Sequence, residues 1–66
     1  MQILLNGENT NIKNNTSISD LLNQFNLDPV KVAVELNQSL IFHHNFDNTI
    51  ISQNDIIEIV HFIGGG

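Results

Sequence analysis

The apolar residues of this chain fall into short runs with different spacings, and the spacings predict its elements. The strongest signal comes late, at Ile56 to Ile63, where I-I-E-I-V-H-F-I is rich in β-branched and aromatic side chains and holds no Pro or Gly. Three glycines, Gly64, Gly65 and Gly66, follow it directly. Near the start, Ile3 and Leu5 alternate with Gln2 and Leu4 ahead of Asn6-Gly7, a pair suited to the positive φ angles of a tight type I′ hairpin turn. A return strand at about Glu8 to Lys13 then pairs Leu5 with Glu8, Ile3 with Thr10 and Met1 with Ile12, so Ile3, Leu5 and Ile12 share the candidate core face. Ser17-Ile18-Ser19-Asp20 has the form of a capping box. The positions that follow it, Ile18, Leu21, Leu22 and Phe25, make one apolar stripe at helical spacing, which Asn26 and Asp28-Pro29 end. Leu27 is expected to tuck under that end.

Beyond the helix, Val30, Val32, Val34 and Leu36 alternate with Lys31, Ala33, Glu35 and Asn37 and predict a third strand. Asn37-Gln38-Ser39 is a turn, Leu40-Ile41-Phe42 a short strand, and His43 to Asn48 a loop or single helical turn with Phe46 plugging the core. Ile50 and Ile51 make a brief apolar contact, and Ser52 to Asp55 turns into the final strand. That strand is the longest and most apolar, so it belongs in the middle of the sheet, parallel to the first, with the helix in the crossover between them. The result is an α+β fold, a β-grasp (ubiquitin-like) roll with a mixed four- to five-stranded sheet and one main helix on one face. Residues 1–63 form its single domain and 64–66 a flexible glycine tail, because glycine brings no side chain to pack. Glu58 marks the outward face of the last strand. Ile57, Ile59 and Ile63 then point at the helix, while Ile56, Val60 and Phe62 point away. With Leu4 on the neighbouring first strand, Val60 and Phe62 form a candidate docking patch beside the tail.

Composition narrows what such a fold can do. Sixty-six residues leave no room for a deep enzyme pocket and its scaffold, and with no Cys the chain has neither disulfides nor thiolate metal ligands. The amino-terminal stretch has no basic region, and no apolar run approaches the roughly 20 residues that span a bilayer, so a cytoplasmic protein without membrane contact is expected. A net charge of −5 argues against nucleic acid and for a partner with a basic docking surface.

Candidate chemistry is sparse. His43 and His44 are adjacent, His61 has no acidic neighbour in sequence suited to a metal site, and solvated loop positions account for all three. Thr16, Ser17, Ser19 and Asp20 are explained by helix capping, and Asn6-Gly7 by its turn, since no phosphate-cradling motif surrounds it. Asp47, Asp55 and Glu58 sit on different elements and form no acid/base pair. Asn occurs eleven times, scattered, and suggests no site. The glycine tail remains. It follows a rigid strand, and a carboxylate on Gly66 would have no side chain to hinder attack at its carbonyl.

The opening M-Q-I-L-L-N-G, the helix start S-I-S-D-L-L, the strand V-A-V-E-L-N and above all the ending N-D-I-I-E-I-V-H-F-I-G-G-G closely resemble the ThiS family, sulfur carriers of thiamine biosynthesis, over the whole chain. Asn54-Asp55 departs from the Gly-Asp common in that family, although Asn also accepts positive φ. The resemblance implies a carrier and not an enzyme, monomeric when free, with no catalytic residue, metal or bound cofactor of its own. It implies that a ThiF-like adenylating enzyme uses ATP to activate the carboxylate of Gly66, and that sulfur drawn indirectly from a cysteine desulfurase makes a thiocarboxylate there. Gly64 and Gly65 would thread the partner's slot, and the thiazole synthase ThiG would take the sulfur. A ubiquitin-like protein modifier, a molybdopterin-type sulfur carrier and a plain interaction module share the fold and stay open as alternatives.

Overall fold

In a computed structural model, which describes residues 1–62, the first hairpin forms as its turn chemistry dictates. Strands β1 (Gln2–Leu5) and β2 (Glu8–Asn11) pair antiparallel, with Leu5 opposite Glu8 and Ile3 opposite Thr10. Asn6 and Gly7 adopt φ of 49° and 84°, the positive angles that a type I′ turn needs. Past the end of the strands, the Ile12 N–H donates to the Met1 carbonyl at 2.9 Å.

Helix α1 (Ile18–Gln24) opens on a complete capping box. The Asp20 N–H donates to Ser17 Oγ at 3.0 Å, and the Ser17 N–H donates to the Asp20 carboxylate at 3.2 Å. A helix of seven residues is too short to persist alone, so the cap and the burial of Ile18, Leu21 and Leu22 hold it. Ser17→Ala removes one half of the box and is expected to cost about 1 kcal/mol, lowering the melting midpoint by about 4–8 °C. A thermal melt read by circular dichroism checks this.

Two expectations fail around the helix end. Phe25, placed on the apolar stripe, is 43% exposed, because the helix has reached its C-cap there and the stripe no longer faces the sheet. Val30, placed on the third strand, is 66% exposed and lies in a 3-10 turn, Pro29–Lys31. Pro29 supplies the first helical φ and the Asp28 carboxylate accepts the Val30 N–H at 3.1 Å, so the turn outcompetes an early strand start. Leu27 is half-buried against the core.

Strand β3 (Val32–Leu36) pairs antiparallel with β4 (Ser39–Ile41) on one side and with β5 (Ile56–His61) on the other. β5 also pairs parallel with β1, giving the sheet order β2-β1-β5-β3-β4 with the last strand in the centre. This is the β-grasp roll. A second 3-10 turn, His43–Asn45, precedes Phe46, which plugs the core as expected. The segment after it is stitched to the start of α1 by Ile18 N–H to Thr49 O (3.0 Å) and Ile51 N–H to Thr16 O (2.9 Å), which buries Ile51 and leaves Ile50 outside. Ile3, Ile12, Ile18, Leu21, Leu22, Val32, Val34, Phe46, Ile51 and Ile57 make one continuous core between helix and sheet.

Candidate functional site

The helix covers one face of the sheet, and the register fixes what the other face displays. Ile57 on β5 is fully buried, and Ile59 is half-buried against the same core. Ile56, Glu58, Val60 and, just past the strand, Phe62 alternate with them on the open face. Val60 is 60% and Phe62 55% exposed. Leu4, half-buried, stands beside Ile56 in the parallel β1·β5 pairing, so the three residues of the sequence-derived patch share one face. Ile56, read from the sequence as outward-facing, is exposed beside them as expected, and the register adds one more apolar residue, the exposed Leu40 on the edge strand. Leu40 escaped the sequence because a three-residue strand offers no alternation from which to read a face.

The route toward the tail is held at several points. The Phe62 N–H donates to the Lys31 carbonyl at 2.7 Å, which anchors the last described residue to the start of β3. Two asparagines grip β5 from its two sides. The side-chain oxygen of Asn6 accepts the Ile59 N–H at 2.7 Å, just where the backbone of β1 has turned away. That of Asn37 accepts the Ile56 N–H at 2.9 Å, and its amide donates to Asp55 at 3.0 Å. Both asparagines have positive φ, as do Asn15, Asn26 and Asn54. Five of the eleven asparagines therefore have a structural role that composition alone hid: they occupy the left-handed region, and two of them, Asn6 and Asn37, also use the side-chain oxygen to replace missing ladder bonds. Asn54, at φ 69°, takes up in its turn the angle that glycine would supply. The expected inward position of Ile63 and the proposed reacting and threading residues Gly64, Gly65 and Gly66 lie outside the described residues.

The remaining polar candidates are spread out. His61 lies on β5, within the predicted last strand, and stands opposite Val32. His43 packs edge-on to Phe46 and His44 stacks on Phe42, with ring centroids 5.6 and 6.0 Å apart. The Ser19 hydroxyl donates a hydrogen bond to the Asp47 carboxylate, which joins α1 to the loop after the second 3-10 turn. Among the described residues, no three His, Asp or Glu side chains converge as a metal cage would require. No helix among them is long and apolar enough to cross a membrane.

Known proteins resemble this chain in sequence and in fold. The sequence model of the ThiS family matches residues 3–66. The sulfur carrier protein ThiS of Bacillus subtilis is 40% identical over 63 residues, covering 94% of this chain and 96% of that protein. A thiazole synthase of Magnetococcus marinus is 41% identical over all 66 residues, and the chain spans only 20% of that protein's length. The crystal structure of a thiamine biosynthesis protein (ThiS) from Geobacter metallireducens superposes with a TM-score of 0.86 at 28% identity, each chain covered completely.

Proposed function

The chain belongs to the ThiS family, and from that membership we propose that it is a sulfur carrier of thiamine biosynthesis whose working group is the carboxylate of Gly66. The observation that carries the reading is the match over 96% of the Bacillus subtilis carrier, combined with a sequence that runs from the central strand straight into three glycines. A ThiF-like adenylating enzyme binds ATP, and an oxygen of the Gly66 carboxylate attacks the α-phosphorus, expelling pyrophosphate and leaving an acyl-adenylate. Activation makes the carbonyl electrophilic. The terminal sulfur of a cysteine desulfurase persulfide then attacks that carbonyl and displaces AMP, giving an acyl disulfide; a second thiol attacks the desulfurase-side sulfur, takes that cysteine into a new disulfide and releases the thiocarboxylate, which is delivered to the thiazole synthase ThiG. That a thiazole synthase carries a segment 41% identical to this chain supports the last partnership.

In this scheme the chain is a substrate and a shuttle, and it contributes no acid, base or metal. Its part is to present a carbonyl without a Cβ beside it, to thread Gly64 and Gly65 through a narrow slot, and to dock by Leu4, Val60 and Phe62 so that the tail arrives in register. The fixed Phe62 backbone supports that last role, since a fixed origin limits where the four residues beyond it can reach.

Pyrophosphate release measured with the adenylating enzyme and ATP tests the activation step. The expected result is release that requires this chain and approaches one equivalent per chain; release independent of the chain would overturn it. Phe62→Glu places a charge where an apolar contact is proposed and is expected to raise Kd for the adenylating enzyme about tenfold or more. Its melting temperature should stay near that of the parent, because Phe62 is already half in solvent. Titration calorimetry beside a thermal melt separates the two effects.

A further inference from the structure

Two carboxylates stand at the centre of the open sheet face. In the antiparallel β3·β5 pairing Glu35 is directly opposite Glu58, and both are exposed. Like charges in that position destabilise a sheet. The chain has two lysines, and neither is placed to offset them: Lys31 lies four residues along from Glu35, about 13 Å in extended chain, and Lys13 follows β2. The acid pair is bracketed by apolar side chains. Along β5, Ile56 and Val60 occupy the outward positions on either side of Glu58, and Leu40 continues the Glu58, Glu35 row onto β4. A face of this kind loses its repulsion when one cation is shared between the carboxylates and the surrounding apolar surface closes over it.

Resting on the carrier reading above, we propose that this face is built to receive an arginine side chain of the adenylating enzyme, held between Glu35 and Glu58 inside a ring made by Leu4, Leu40, Ile56 and Val60. Neighbouring strands lie about 4.8 Å apart, a span that the planar guanidinium with its five donors can bridge, whereas a lysine ammonium is a single point charge. The net charge of −5 brings the basic surface in, and the acid pair fixes where it stops.

The test compares Glu35→Gln, Glu58→Gln and the double variant in binding to the adenylating enzyme, by surface plasmon resonance at several salt concentrations, and in thermal stability of the free chain. Each single variant is expected to raise Kd about tenfold or more, mainly through faster dissociation. The double variant is expected to add little, because both carboxylates serve one cation. All three should melt slightly higher than the parent. Unchanged affinity, fully additive effects, or effects confined to the association rate and erased by salt would each overturn a shared arginine; the last would mean only long-range attraction. Thiocarboxylate formation by the parent chain is followed in parallel. If the parent is thiocarboxylated and the variants bind like it, the arginine site is wrong and the carrier reading stands. If the parent binds but is not thiocarboxylated, the carrier reading itself fails.

Discussion

Appending a single residue after Gly66 is expected to abolish thiocarboxylate formation while leaving the melting temperature unchanged. The reacting carboxylate would then belong to a residue one peptide unit, about 3.5 Å, further along, and the amide left on Gly66 cannot attack ATP as a carboxylate does. Any side chain on the added residue would also meet the slot that Gly64 and Gly65 are proposed to thread. Three glycines bring no side chain to a core, so stability should not register the addition. Mass spectrometry after a complete turnover mixture, with a melting curve of the same sample, reads both quantities. A parallel loss of fold would show that the tail is part of the folded body.

The second large effect separates the two faces of the central strand. Ile57→Ala is expected to cost about 3 kcal/mol, since Ile57 is fully buried between helix and sheet and truncation leaves a cavity among well-packed neighbours. At about 0.05–0.15 kcal/mol per residue, 66 residues amount to about 3–10 kcal/mol in total, so this one change removes a third of the stability or all of it. The melting midpoint should fall by about 12–24 °C, or the variant should be unfolded at room temperature. Val60→Ala, three residues along the same strand and 60% exposed, is expected to stay within about 0.5 kcal/mol of the parent. Chemical denaturation of both variants measures the contrast, and similar costs at the two positions would mean that the strand's faces have been misassigned.

That assignment is legible in the sequence. Alternation along β5, with Glu58 as the one charged residue among apolar ones, was enough to orient it, because a buried face does not accept an unpaired carboxylate. The hairpin register followed from Asn6-Gly7 and the helix start from Ser17 and Asp20, since in both places a local motif satisfies specific backbone groups. Phe25 and Val30 were misplaced for a common reason. Periodicity continues on paper after the backbone has changed direction, and only the competition between Asp28-Pro29 and the strand decided where β3 begins.

The parts of the candidate site that the sequence hid are those that depend on pairing between segments. Glu35 and Glu58 are ordinary surface acids until the β3·β5 register sets them face to face. Leu40 joins the open face only through its partner Glu35. Asn6 and Asn37 look like turn residues and nothing more until their side chains are seen to accept the Ile59 and Ile56 amides. The Leu40 pairing is local, across the β3·β4 hairpin, but its strand is too short to show alternation; the others are long-range relations that no local pattern encodes.

The most direct test of the carrier function is the intact mass of the chain after incubation with the adenylating enzyme, ATP and a cysteine desulfurase with cysteine. The predicted result is an ATP-dependent increase equal to the exchange of one oxygen for sulfur, localised by fragmentation to Gly66. An unchanged mass in a mixture that thiocarboxylates the Bacillus subtilis carrier, or ATP-dependent conjugates that run as higher bands on a denaturing gel with no sulfur gained, would contradict it.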